Sequence, residues 1–480
     1  MSESSTPLTS PQPQRQLGLS ASFTIVAGSM LGIGIFLAPT TMALHLNSTF
    51  LFVGVWIFTG LVSLSGATTY AELGVLFPKS GGDYHFHRQA LGPSVAFAYG
   101  WGLLGAGFAG SIAAMSVPFC AFQLSFLLGT SFEGVWFTLP IIGDIGGAQC
   151  LALGLIFTFT LINIYGVKLS AWIQGLTTYI PLILLFILSL ITFTQDPSTS
   201  SPEIVETSAS LNQHTWTLSG LTTAFLEAYF AYSGWNAIIY VAGEVKNPSK
   251  TLPLALIGGT IIVMALYLLL SGSALHFLDF DGLRVLAHRH QDIGSGIAMK
   301  FGIAWLSYGV VLLIAIALIA SINATILGGG RVAYALAQDG CFWKGAGVLH
   351  PKWQTPSNAL WTQAVMASFI VLVFPWELIF STISLVMVGG GSLTVLALYL
   401  LRWKRKDLPR PYKALGYPFF PAHFMGSGIG VIGVKLYDAW LGVEGSYYSV
   451  MGLGGVCLAY VIHRLWQTRS MVKQASLEGE

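Results

Sequence analysis

Long apolar runs, each closed by a polar stretch, recur along the chain at about 20–44, 49–70, 93–128, 148–165, 169–193, 217–242, 252–275, 301–335, 359–375, 378–402, 418–438 and 446–466. Most are close to the roughly 20 residues that an α-helix needs to cross the hydrocarbon core of a bilayer. Apolar positions follow one another without the period-two alternation of barrel strands. Backbone groups in lipid must find partners inside their own segment, so each run is predicted to be helical. The pattern therefore predicts an all-α membrane protein of about twelve transmembrane helices. Longer polar stretches stand near 71–92, 194–216, 276–300 and 336–358, and no linker or charge block separates a soluble domain.

Composition agrees with this reading. Of 480 residues, 54% are hydrophobic and 9% charged, and the mean hydropathy is +0.70. Soluble domains carry roughly 25% charged residues, so most of this surface is expected to face lipid. The net charge of +2 matters less than its distribution. With the N-terminus inside, Arg15, Lys79, Arg88, Lys168, Lys246, Lys250, Arg331, Lys344, Lys352, Arg464, Arg469 and Lys473 fall on the cytoplasmic side, with the basic loop 402–413. The other side receives Arg284, Arg289 and Lys300, with Lys435 inside a run. Both termini are thus expected to be cytoplasmic. Residues Met1 to Gln16 are polar and lack an apolar signal core, so the first run is expected to serve as the insertion signal. Cys120, Cys150, Cys341 and Cys457 are scattered without metal-ligand spacing and are expected to be small buried hydrophobes.

Two runs resist continuous helix. The first reads Gly28-Ser29-Met30-Leu31-Gly32-Ile33-Gly34-Ile35-Phe36 and then Pro39; the sixth reads Phe230-Ala231-Tyr232-Ser233-Gly234-Trp235-Asn236. Each glycine costs about 1 kcal/mol of helix propensity relative to alanine. Unwound backbone at membrane depth is tolerated where it lines a protein-walled cavity. There, N–H groups at a half-helix start suit a carboxylate, and carbonyls at a half-helix end suit an ammonium. The competing reading is close helix packing through Gly28 and Gly32. Breaks in the first and sixth of twelve runs match an inverted five-plus-five repeat. The expected organisation is a tail at 1–17, a ten-helix core at 18–402 with repeats at about 18–193 and 217–402, two further helices at 403–466, and a tail at 467–480.

These residues resemble the amino acid–polyamine–organocation superfamily, nearest its L-type amino acid transporter branch. The resemblance lies in order along most of the chain: the first run; Tyr70-Ala71-Glu72-Leu73-Gly74 with Pro78 and Gly81-Gly82-Asp83-Tyr84; Phe230 to Asn236 with Ala242-Gly243-Glu244-Val245-Lys246-Asn247-Pro248 and Leu252-Pro253; and Ser321-Ile322-Asn323, Gly330-Arg331, Asp339-Gly340 and Thr355-Pro356. It implies a leucine-transporter-like fold and a substrate site made of Ser29, Met30, Gly32, Ile33, Gly34, Phe230, Ser233, Gly234, Trp235 and Asn236. Amides around Ile33 and Gly34 would receive the substrate carboxylate. Carbonyls of Met30, Phe230 and Ser233 would receive its ammonium. The Phe230 ring would close over the site, and Trp235 and Asn236 would shape the side-chain pocket. The chain departs from the pattern at Ile33, where the family usually has a small residue, and at Pro181, where several relatives carry a lysine that occupies an ion site. The loop 129–147 lacks the cysteine through which animal relatives attach a partner, so no covalently linked heavy-chain subunit is expected.

Ionisable groups within the runs are functional candidates by default. Glu227, one turn before Phe230, reads either as a proton acceptor or outer-gate partner, or as a carboxyl facing water. Glu72 and Glu244 are candidates for gate ion pairs with Arg331 or Lys246, or for simple surface placement. Ser321 and Asn323 read either as a sodium site or as helix-packing hydrogen bonds. The alternating histidines at His85 and His87, and at His288 and His290, read as solvated loop residues. No HExxH, GxSxG or GxxxxGK[ST] motif is present, so the chain is not expected to be an enzyme or an ATP-driven pump. The resulting expectation is a secondary amino acid transporter, permease or exchanger, for neutral substrates, without cofactor, coupled to H+ or Na+. The alternatives are a polyamine or cationic amino acid exchanger using Glu227, and a non-transporting amino acid sensor. The expected partners are the substrate and the lipid bilayer, with no nucleic acid, in a bacterial inner membrane.

Overall fold

The computed structural model describes residues 14–132, 134–140, 143–196, 216–289, 291–443 and 446–478. Residues 1–13 of the expected tail at 1–17, residues 197–215 of the polar stretch near 194–216, and His290 lie outside them. The helices are α1 (Leu19–Met30), α2 (Gly34–His45), α3 (Thr49–Leu76), α4 (Asp83–Ala90), α5 (Pro93–Leu128), α6 (Gly147–Ile164), α7 (Val167–Phe193), α8 (Leu218–Tyr232), α9 (Ala237–Tyr240), α10 (Pro248–His288), α11 (Ile293–Phe301), α12 (Ala304–Gln338), α13 (Ser357–Val373), α14 (Trp376–Lys404), α15 (Phe419–Trp440) and α16 (Ser446–Glu478). Among the described residues, ten segments are long and apolar enough to cross a membrane, α1 and α2 counting as one. The shorter apolar α13 and the interrupted α8–α9 complete the predicted set of about twelve.

Local chemistry explains where these helices begin and end. Ser48 caps α3 by accepting from the Leu51 N–H at 3.3 Å, and Thr217 caps α8 by accepting from Gly220 at 3.0 Å. Gly166, at φ +136°, makes the sharp turn from α6 to α7. The lipid-facing and central helices then separate by burial. The most apolar stretch of α12 is 78% buried within the protein, whereas that of α7 is 33% buried despite comparable hydropathy. Thus α12 runs through the core, and α7 presents Trp172, Ile183 and Leu184 outward.

Several expectations need correction. The loop 129–147 contains a two-stranded antiparallel hairpin, β1 (Val135–Leu139) with β2 (Gly143–Gly146). The stretch 276–300 is largely helical: α10 continues across a break at Asp279 (φ 59°), and α11 follows, capped by Asp292. Helix α16 continues past 466 to Glu478. Cys120 is buried, but Cys150 and Cys341 are half-buried and Cys457 is exposed. His87 is not solvated; it is fully buried in α4, against Thr394 of α14.

Candidate functional site

The two interruptions fall where the glycines forecast them. Helix α1 stops at Met30, Leu31 to Ile33 are non-helical, and α2 restarts at Gly34. Helix α8 stops at Tyr232, and four residues intervene before α9. The two breaks touch. A Cβ on Gly34 would lie 2.5 Å from the Ala231 Cα, and one on Gly234 would lie 2.7 Å from the Ser29 carbonyl oxygen. Gly234 also takes φ +98°, which L side chains rarely adopt. Glycine is therefore needed at both positions for the two unwound backbones to meet. Gly28 has a different role: its Cα faces the side chains of Gln174 and Thr178 on α7, which is helix packing.

Beside this junction lies a cavity of about 60 Å³, lined by Ser29, Phe230, Ser233, Gly234, Asn236 and Ser321 together with residues of α5. Among the described residues, no charged side chain lines it. Met30, Gly32, Ile33 and Gly34 form the buried backbone turn behind Ser29. Trp235 faces a second, smaller cavity with Tyr70 and Tyr99, which Asn236 and Tyr240 also reach. Its indole sits in space left by Gly66 and meets Tyr70 edge-on at 4.7 Å.

Backbone polarity at the junction is suited to a zwitterion. The opening N–H groups of α2 have no intrahelical acceptor, and the last carbonyls of α1 and α8 point the other way. Two of these carbonyls are engaged internally. The Phe230 oxygen accepts from the Ser233 N–H at 3.0 Å and its hydroxyl at 2.6 Å. The Met30 oxygen accepts from Gly32 at 2.7 Å and from the Tyr267 hydroxyl.

The remaining candidates separate. The Ser321 hydroxyl donates to Ser29 O at 3.1 Å at the cavity wall. Asn323 faces α7 instead, accepting from Asn163 at 2.9 Å and donating to Gln174 at 2.8 Å, in a buried network that ties α6, α7 and α12. Pro181 is buried within α7. Glu227 lies outside the cavity lining and faces His45 of α2 at 3.8 Å. Nearby, Lys435 donates to Thr223 at 2.7 Å and pairs with Asp438 at 3.4 Å, clamping α15 to α8. On the side of Leu17, Glu244 pairs with Arg331 at 2.9 Å, and both are almost fully buried. Glu72 pairs with Arg402 at 2.5 Å and Arg410 at 3.4 Å, not with Arg331 or Lys246. Leu17 itself bridges to Val245, its carbonyl accepting from Lys246 at 2.8 Å.

Sequence reasoning missed two contributors. Helix α5 carries two π-helical stretches, Leu103–Gly110 and Phe119–Leu124, and the first presents Leu103, Gly107 and Phe108 to the cavity. Such bulges gather at functional sites, and the glycines at 105, 107 and 110 were the available signal. Asp83, within the Gly81-Gly82-Asp83-Tyr84 motif, is a buried carboxyl, 0% exposed, that accepts from Tyr240 and Thr394, each at 2.5 Å.

The sequence is similar to those of known amino acid transporters. The b(0,+)-type amino acid transporter 1 of Homo sapiens is 26% identical over 83% of this chain and 78% of its own length. The Asc-type amino acid transporter 1 of Mus musculus is 27% identical over 83% and 73%. The serine/threonine exchanger SteT of Bacillus subtilis is 25% identical over 93% and 96%. A family model described as amino acid permease matches residues 17–455, and the chain belongs to that family, within the amino acid–polyamine–organocation superfamily.

Proposed function

We propose that this transporter is an alternating-access carrier of neutral α-amino acids, with its substrate held at the junction of the two broken helices. One observation carries the reading: two unwound backbones meet beside a cavity with no charged wall. The substrate carboxylate faces the amides of Ile33 and Gly34, and its ammonium faces the carbonyls that end α1 and α8. Phe230 closes over it. A cationic side chain in such a cavity would be a buried charge without a partner. Glu227 stands away from the lining, so it serves the barrier near His45 and not a cationic substrate. Ten helices form two inverted repeats, a reading supported by the packing of α3 on α10 and α2 on α8. The carrier works without a covalent partner subunit in a bacterial inner membrane, with both termini cytoplasmic, so that the Glu244–Arg331 side is the inner one.

The test is counterflow in proteoliposomes with labelled neutral amino acids, a cationic amino acid and a polyamine, under separate proton and sodium gradients. Uptake of a neutral amino acid that Phe230→Ala abolishes is the expected result. Preference for the cationic substrates would refute the neutral assignment. Stabilisation by an amino acid without any counterflow would identify a sensor.

A further inference from the structure

Asp83 is placed by the two residues before it. Gly81 and Gly82 take φ of +108° and +54°. A Cβ on Gly82 would lie 2.5 Å from the Tyr240 ring, and one on Gly81 would lie 2.5 Å from the Ala335 Cβ. The pair of glycines lets the chain turn tightly against α9 and α12, and Gly81 donates to the Tyr240 carbonyl at 2.9 Å. Asp83 then opens α4 with its carboxyl wholly inside the protein.

A continuous hydrogen-bonded chain runs through that carboxyl. Asn236 Nδ2 donates to the Tyr240 hydroxyl at 3.1 Å, and the hydroxyl donates to Asp83 Oδ2 at 2.5 Å. Thr394 donates to Asp83 Oδ1 at 2.5 Å, and His87 Nε2 lies 2.8 Å from the Thr394 oxygen. Both Asn236 and Tyr240 line the substrate cavity. The groups facing the carboxyl are uncharged: Tyr70 from α3, Tyr99 from α5, Tyr229 from α8, Tyr240 from α9, Thr394 from α14 and His87 from its own helix. Burial pushes the His87 imidazole down to about 3, so it is neutral. The nearby cations are engaged elsewhere, Arg331 of α12 with Glu244 and Arg88 of α4 with Asp339. Among the described residues no ion pair includes Asp83.

We propose that Asp83 is a proton-binding switch wired to the substrate pocket, in which one proton on Oδ2 reverses the donor order through Tyr240 and turns the Asn236 amide. This rests on the carrier reading above. With Asp83 ionised, Tyr240 donates to it and accepts from Asn236, leaving the Asn236 carbonyl oxygen for the pocket. With Asp83 protonated, its new O–H donates to Tyr240, the Tyr240 hydroxyl rotates to donate toward Asn236, and the amide turns to present its NH2 to the pocket. The proton comes from water on the inner side, when that side opens. The Thr394 arm resists the same reversal, because its far end would require a buried imidazole to move its proton from Nε2 to Nδ1. Burial raises the proton affinity of the Asp83 carboxyl above that of an exposed aspartate.

The experiment reads the half-saturating concentration of a transported neutral amino acid on the inner face of proteoliposomes, at lumenal pH from about 5.5 to 8. Wild type is expected to change at least threefold through a single ionisation, and both Asp83→Asn and Tyr240→Phe are expected to flatten the profile. A wild-type profile retained in both variants would overturn the proposal. If Asp83→Asn does not fold, Tyr240→Phe decides alone, because it keeps the carboxyl and cuts the wire. Infrared pH-difference spectra of purified protein give a second reading that needs no transport. A protonated-carboxyl band that titrates in wild type and moves in Tyr240→Phe is expected; a spectrum with no such band overturns the proposal. Failure of wild type to exchange any amino acid would refute the carrier reading, and the infrared result would still decide the proton switch.

Discussion

The contact between the two breaks can be tested by one added methyl group. In Gly34→Ala the new Cβ falls 2.5 Å from the Ala231 Cα, whereas carbon atoms sit comfortably at about 3.5–4.0 Å. Relief needs the start of α2 and the end of α8 to part by roughly 1 Å, since the obstructing atom is backbone and cannot rotate away. Overpacking of this kind costs about 1–3 kcal/mol. If that cost falls on the substrate-competent arrangement, it weakens binding by roughly 5- to 150-fold, at 1.4 kcal/mol per factor of ten. Gly54→Ala in α3 is the control, because nothing lies within 4 Å of its Cβ and alanine favours a helix interior by about 1 kcal/mol. Substrate affinity from counterflow and melting temperature in detergent should both fall in Gly34→Ala and hold or rise in Gly54→Ala. Wild-type affinity in Gly34→Ala would refute the claim that close approach of the two backbones builds the site.

Other perturbations separate the supporting parts. Glu244→Gln should cost about 3–5 kcal/mol by leaving Arg331 buried without its partner; adding Arg331→Met should return most of the lost melting temperature, and failure to do so would refute an unpaired buried charge as the source of the loss. Asn323→Ala should lower stability by about 1–3 kcal/mol through orphaned partners in its network, whereas Ser321→Ala should mainly alter substrate half-saturation; a sodium response lost only in Asn323→Ala would contradict its packing role. The His87 pKa is held at about 3 by burial, against 6.5 unfolded, so stability is lost as pH falls from about 6.5 toward 3. The slope is about 1.4 kcal/mol per pH unit, and melting curves at pH 7.5 and 5 should show a smaller acid loss in His87→Gln than in wild type.

The runs and their breaks were legible because they depend on local chemistry: helix length follows from apolar length, and Gly32, Gly34 and Gly234 weaken the helix where they stand. What those glycines do was less legible. Gly28 and Gly34 look alike in sequence, yet one faces the side chains of α7 and the other the backbone of α8. The Asp83 switch was harder still. Its partners stand 157 and 311 residues away, and an aspartate beside two glycines reads as a loop residue until those partners are known. The same holds for His87, whose charge-bearing type suggested solvent and whose environment is the interior. Glu227 stood one turn from the site in sequence, but the turn carries it from the cavity toward His45.

Among the described residues, charge is distributed so that the candidate cavity has none. Among the described residues, the ion pairs occupy the two ends of the bundle or its connecting segments, and the cavity between is lined by hydroxyls, an amide, backbone and apolar groups. A zwitterion bound by dipoles leaves the occupied site neutral, so neither the loaded nor the empty cavity carries an uncompensated charge through the membrane interior. The buried ion pairs at the ends suit the complementary task. Their desolvation nearly cancels their attraction, so exposing them to water costs less than the contact distance implies. Asp83 stands one hydroxyl and one amide removed from the cavity, where adding or removing a proton would change what the pocket offers without placing an ion in it.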